Sequence, residues 1–196
     1  MPPDRVVGYA LQMPLQPVTD AGRRTREALL DAGVEVAEQH GLAGLSVNRV
    51  VAAAGVAKGT FYVHFEDRDA FVDALHERFH ARVRAAVAAA IDGVPPGGER
   101  ICRGAEAYLD VCLADRAVKA LALEARSDPA LSASMAKRHE AFAATAVPSL
   151  RAMGWPDVSA AAQLVAAMTA EIAIRELEAG RRLPAARRSL RRFLAS

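Results

Sequence analysis

Between Ser46 and Phe65 the chain has room for only two short helices, with Gly55 between them where a tight turn is needed. Ser46 is placed to cap the first, over Val47 to Ala53, and the second runs from Lys58 to His64. Two short helices around a glycine turn make a helix-turn-helix candidate. The rest of the chain repeats apolar residues at helical rather than alternating spacing, aromatic residues are only 5%, and no segment reads as a strand. The expected fold class is all-α.

Along the chain, residues 1–19 hold Pro2, Pro3, Gly8, Pro14 and Pro17 without a stable period and read as a flexible N-terminal arm. A first helix from about Arg23 to His40 ends at Gly41 and carries Leu29, Leu30, Ala32, Val34 and Val36, while Gly33 weakens it by about 1 kcal/mol relative to Ala. Asp67 is placed to cap a long fourth helix reaching Ile91, with Phe71, Leu75, Phe79 and Val83 as its apolar stripe. The run Asp92-Gly93-Val94-Pro95-Pro96-Gly97-Gly98 cannot continue a helix. Beyond it, helices are expected over residues 99–115, 117–126, 129–153, 156–179 and 184–195, with Pro129, Pro156 and Pro184 in first turns and Pro148 kinking or splitting its helix.

Charge does not announce a partner, since 25 basic against 23 acidic residues leave a net charge of +2. A nucleic-acid reading must therefore rest on the motif. Cys102 and Cys112 fall on one expected helix, separated by roughly 15 Å of rise, and cannot bridge each other. Together with the lack of a signal peptide and of any long uncharged apolar run, this places the chain in the cytoplasm. No cofactor is expected.

A recognition helix lies in the major groove and needs exposed polar side chains near its start. In Lys58-Gly59-Thr60-Phe61-Tyr62-Val63-His64-Phe65, the two phenylalanines four apart face the core, and Lys58, Thr60, Tyr62 and His64 remain for DNA. Gly59 allows close approach to the duplex. Ordinary packing is the alternative for Tyr62 and His64, and solvated charge the alternative to phosphate contact for Arg23, Arg24 and Arg26.

Over Thr25 to Phe71 the chain resembles the tetracycline-repressor-like (TetR) family of regulators. The matching residues are Leu29, Leu30, Ala32, Gly41, Ser46, Ala54-Gly55-Val56-Ala57-Lys58-Gly59-Thr60-Phe61-Tyr62, His64-Phe65 and Arg68; Gly33, Ala37 and Val51 depart from the pattern. The resemblance implies a three-helix helix-turn-helix domain over residues 20–66, joined to a helical effector-binding and dimerisation domain over residues 67–196. It implies a homodimer built from the last two helices, operator DNA and a small-molecule effector as partners, and no catalytic activity. Carried onto this chain, it makes Lys58, Thr60, Tyr62 and His64 contact positions in the recognition helix, Arg68 a phosphate anchor, and Ser46 both cap and phosphate contact.

The effector is not carried over by the resemblance. Cys102, Tyr108, Met135, His139, Phe142, Trp155 and Met168 are bulky or soft residues among alanine-rich helices, suited either to an adaptable cavity for an apolar or aromatic effector or to filling a core. Ala161, Val165, Met168 and Ile172 form one stripe, and Leu183, Ala186, Leu190 and Phe193 a second, which two subunits can pair into a four-helix interface. Arg181, Arg182, Arg187, Arg188, Arg191 and Arg192 read as a solvated face, a second nucleic-acid surface being the alternative.

One motif points elsewhere. His76-Glu77-Arg78-Phe79-His80 fits the H-E-x-x-H pattern, in which two histidines hold zinc and the glutamate activates water, and Glu106 with Asp110 offer a third ligand and its support. No third histidine of the metzincin type follows and no strand is available to hold a peptide, so the reading left open is metal binding or sensing. A helical interaction module without DNA binding is the third class, and it leaves Lys58, Thr60, Tyr62 and His64 without a shared purpose.

Overall fold

The computed structural model describes residues 19–118 and 140–194, and all of the regular structure among them is helical. The helices are α1 (Asp20–Gly44), α2 (Val47–Ala54), α3 (Lys58–His64), α4 (Arg68–Ile91), α5 (Gly98–Ala114), α6 (Val147–Ala152), α7 (Val158–Ala179) and α8 (Pro184–Leu194). The expected N-terminal arm, most of the segment 117–139 and the two effector candidates Met135 and His139 lie outside the described residues.

Helix ends follow local chemistry. Thr19, Ser46, Asp67 and Asp157 each accept a hydrogen bond from a backbone N–H three residues on, capping α1, α2, α4 and α7. Gly41 breaks α1 with a φ of 64°, and Gly55 ends α2 in the left-handed region, as the sequence requires. Asp157, not Pro156, begins α7, so that proline stands outside the helix rather than in its first turn. The split expected at Pro148 is present: residues 140–144 are helical, a turn follows, and α6 begins with the proline in its first turn.

Two apolar clusters organise the molecule, and α4 belongs to both. The first joins α1, α2 and α3 to Phe71, Val72 and Leu75 of α4; the second joins Phe79, Val83 and Val87 to α5, α6, α7 and α8. Gly33 acquires a reason here, because a Cβ on it would lie 2.5 Å from Phe71 Cζ: the glycine lets the aromatic ring of α4 reach the α1 backbone. Arg78 of α4 reinforces the same contact by pairing with Asp31 at 2.7 Å and Glu27 at 3.3 Å.

Among the described residues one helix, α7, is long and apolar enough to cross a membrane by length and composition, although Glu171, Arg175, Glu176 and Glu178 interrupt its apolar run. It carries a buried carboxylate, Glu176, held in the second core. The Arg187 guanidinium of α8 binds Glu176 through two bonds of 2.7 and 2.6 Å and Asp110 of α5 at 2.6 Å. Burial alone would raise the Glu176 carboxyl, but the Arg187 fork, the Leu183 N–H and the charge of Arg182 outweigh it and hold it below the ordinary carboxylate value.

Candidate nucleic-acid interface and effector cavity

The helix-turn-helix presents α3 outward. Phe61 and Phe65 are buried and meet Phe71 with ring centroids 5.3 and 4.9 Å apart, so one face of α3 is locked onto α4. The opposite face carries Lys58, Gly59 and Tyr62, all exposed, with Thr60 partly so. Tyr62 keeps half its surface in solvent and its ring edge against Phe61 at 5.5 Å, which fixes its direction. A Cβ added at Gly59 meets nothing within 4 Å.

Val63, at 79% exposed, is a member of this face that the sequence reading passed over. Its offset from Phe61 and Phe65 already placed it outward.

Two expected contacts look different in three dimensions, and a third, Ser46, is the cap it was expected to be. His64 is half-buried near the start of α1, where a Cβ on Gly22 would lie 3.9 Å from its Cε1, an arrangement closer to packing than to display. Arg68 turns inward: Nε donates to Leu45 O at 2.8 Å, Nη2 to Leu42 O at 2.7 Å, and Nη1 pairs with Asp69. Those carbonyls belong to the α1–α2 connection, so Arg68 clamps the entry to the helix-turn-helix. Ser46 Oγ is the α2 cap, 3.4 Å from Arg49 N. Of the α1 arginines, Arg23 pairs with Asp20, Arg26 lies 5.0 Å over the Phe65 ring, and Arg24 is exposed.

The expected effector residues do not converge. Phe142 lines a small cavity between the end of α4, α5, residues 142–146 and α7, and Tyr108 stands behind Phe142 at a ring distance of 4.5 Å. Met168 packs against the second core from its margin. Cys102 and Trp155 instead border a separate open groove with Met153 and Arg191. The reason is local: Trp155 sits in the α6–α7 turn after Gly154, at φ 76°, and this turn leaves it 44% exposed.

Burial raises the Cys102 thiol above its ordinary value, only partly offset by Arg191. The cavity holds about 20 Å³, room for one water, within walls including Val87, Ile91, Ile101, Ala105 and Val165. Among the described residues its one charged lining group is Arg100.

The stripes expected at a dimer interface are divided in the structure. Ala161, Val165 and Ile172 are buried inside the subunit, as is Leu190, whereas Leu164 and Phe193 stand out at 62% and 66% exposure. Three of the six C-terminal arginines are matched by acids of α5: Arg182, just before α8, and Arg187 by Asp110, and Arg191 by Glu99 and Glu106. Glu106 and Asp110 are thereby taken from the metal set suggested with His76 and His80. Among the described residues no three His, Cys, Asp or Glu side chains are placed to hold an ion.

Residues 29–75 match the family described as bacterial regulatory proteins, tetR family. This stretch covers α2, α3, most of α1 and the first third of α4. Over these residues the chain is similar to the tetR family. The repressor DhaR of Mycobacterium sp. (strain GP1) is 33% identical over 73 residues, which cover 36% of this chain and 37% of that protein. The chain thus spans little more than a third of that curated relative.

Among solved structures, a TetR-like transcriptional regulator from Rhodococcus sp. RHA1 superposes with a TM-score of 0.72 at 21% identity, covering 85% of this chain and 91% of the other. The regulator FadR from Bacillus subtilis, solved with stearoyl-CoA, superposes at 0.74 with 20% identity, covering 87% and 97%. These two likenesses extend the tetR fold beyond the matched segment, through the helices that enclose the cavity.

Proposed function

We propose that the chain is a ligand-responsive repressor that binds a near-palindromic operator as a homodimer and releases it when a small effector enters the cavity between α4, α5 and α7. The observation that carries this reading is α3 itself: its buried face is fixed by three phenylalanines while Lys58, Gly59, Thr60, Tyr62 and Val63 are left for the groove. Lys58 serves phosphate or a guanine edge, Tyr62 reaches backbone or base, and the Val63 methyls suit a thymine methyl. Arg68 and Ser46 contribute by holding α2 and α3 in place. The repressor name of DhaR and the acyl ligand in the FadR structure support regulation by a small molecule. Such a repressor works in the cytoplasm.

Residues 20–66 are then the DNA-binding unit and residues 67–196 the effector and dimerisation unit, with α4 as the shared part. Exposed Leu164 and Phe193 on the last two helices are the apolar anchors for a second subunit. The two recognition helices of a dimer sit one DNA turn apart, roughly 34–36 Å. Because α4 packs in both cores, an effector that favours another tilt of α4 changes that spacing, provided it binds the released state more tightly.

Fluorescence anisotropy of the protein on DNA from upstream of its own gene, across a salt series, tests this. Affinity is expected to fall steeply with salt, and Tyr62→Ala to lose the complex while keeping the helical fold. Binding that ignores salt, or that survives Tyr62→Ala unchanged, overturns the assignment.

A further inference from the structure

Arg100 is an unusual wall for an otherwise apolar cavity. Its Nη1 donates to Val94 O at 3.0 Å and Ile91 O at 3.3 Å, which fixes the guanidinium across the α4–α5 turn. Nε is buried without a partner, and among the described residues no bond is made along the Nε–Nη2 edge and no carboxylate pairs with this arginine. A guanidinium stays charged, and that edge is the one that takes a carboxylate through two parallel bonds.

Among the described residues the other polar groups of the lining offer no competing donors. Thr145 Oγ1 donates to Phe142 O at 2.7 Å and Thr169 Oγ1 to Val165 O at 2.8 Å, so both hydroxyl protons are spent within the backbone. One cation and no further donor suit a singly charged, planar head; a phosphate monoester, with more charge and more acceptors, would be left undersatisfied. Among the described residues the rest of the lining is hydrocarbon, chiefly Val87, Ile91, Ile101 and Val165.

We propose that this cavity takes an amphiphilic monocarboxylate, its carboxylate on Arg100 and its hydrocarbon body between α4, α5 and α7. The proposal rests on the reading above that this cavity is the effector site, and it names the class of effector. At about 20 Å³ the space is closed to such a guest until a wall moves. Phe142, half-buried against Tyr108, is the side chain whose displacement opens it. The head-group anchor lies beside the α4–α5 turn, so a bound carboxylate acts on the end of the helix that joins both cores.

Isothermal titration of the full chain with sodium octanoate and with 1-octanol tests this, alongside operator affinity measured in the same samples. The wild type is expected to bind octanoate about tenfold or more tighter than octanol, the factor a charge-assisted bond supplies. Arg100→Met should bring the two to near equality, and Phe142→Ala should tighten both. The wild-type ratio needs no variant, so it decides even if Arg100→Met fails to fold. Equal binding of the two probes, absence of octanoate binding, or a preference that survives Arg100→Met overturns the proposal. Release of operator by both probes alike would keep the cavity as effector site and remove the carboxylate; selective octanoate binding with unchanged operator affinity would keep the ligand class and remove the regulatory role.

Discussion

The two cores that share α4 are built on opposite principles. In the first, large side chains interlock: Phe61, Phe65 and Phe71 meet ring to ring, Leu29 and Leu30 are fully buried, and Phe71 fills the notch left by Gly33. In the second, Ala105, Ala143, Ala146, Ala161, Ala162, Ala166 and Ala173 supply much of the packing, a cavity remains, and a buried carboxylate is held by Arg187. Interlocked large groups tolerate few alternative arrangements, whereas small side chains leave space that a guest can claim. A DNA reader needs the first property, because α3 must be presented in one geometry. An effector unit needs the second.

The sharpest way to break the second core is to remove its charge link. Arg187→Met leaves Glu176 buried with the Leu183 N–H as its remaining hydrogen bond, and such a change costs about 3–5 kcal/mol. Trp155 is the single tryptophan and lies in this half, so urea unfolding followed by its fluorescence, at fixed protein concentration, reads the loss where it occurs. The carboxyl is depressed in the folded state, so its contribution is present above the unfolded value and disappears as pH falls through the lower folded one. The wild type should therefore lose this stability on acidification, and Arg187→Met should show little of that loss. Adding Glu176→Leu to Arg187→Met should recover most of it; no recovery would mean the charge pair is not what holds α7 to α8.

The first core is tested by its tightest contact. Gly33→Ala gains about 1 kcal/mol of helix propensity but drives a methyl into Phe71, and overpacking of this kind costs about 1–3 kcal/mol. Net destabilisation is expected, read by hydrogen exchange of the α1 amides, with partial recovery on adding Phe71→Leu. A more stable Gly33→Ala protein would show that the notch is slack.

How much of this the sequence carried differs between the halves for the same physical reason. Phe61 and Phe65 four apart, Gly55 after α2 and Ser46 before it are strong local signals, and each stands as the spacing implied. Gly33 read as a weakness because its justification, Phe71, is 38 residues away. Arg68 read as a phosphate anchor because its true partners are backbone carbonyls, which have no residue-type signature. In α7 apolar and small residues run nearly all round, so periodicity could not separate the face that holds Val165 from the one that exposes Leu164. Cys102 and Trp155 were grouped with Phe142 by side-chain type alone, and type says nothing about which side of a turn a residue leaves.

Leu164 sharpens the contrast at the surface. Leu164→Glu should change the subunit's own stability by about 0.5 kcal/mol or less, because the side chain is mostly in solvent. A charge there should nonetheless shift sedimentation equilibrium toward the monomer. An unchanged association constant would move the dimer interface away from the exposed face of α7.

The smallest effect on folding belongs to Gly59→Ala, and it separates architecture from recognition most cleanly. The added methyl touches nothing within 4 Å and the position is helical, so the folded protein should gain about 0.4 kcal/mol, the low end for a compatible glycine replacement. If the duplex approaches the α3 backbone at this point, the same methyl occupies space the DNA needs, and operator affinity should drop although the protein is slightly more stable. A stabilised variant with unchanged affinity would show that α3 meets the groove through Lys58, Thr60 and Tyr62 without close backbone contact. The glycine would then serve neither close approach to the duplex nor any contact within the unbound protein.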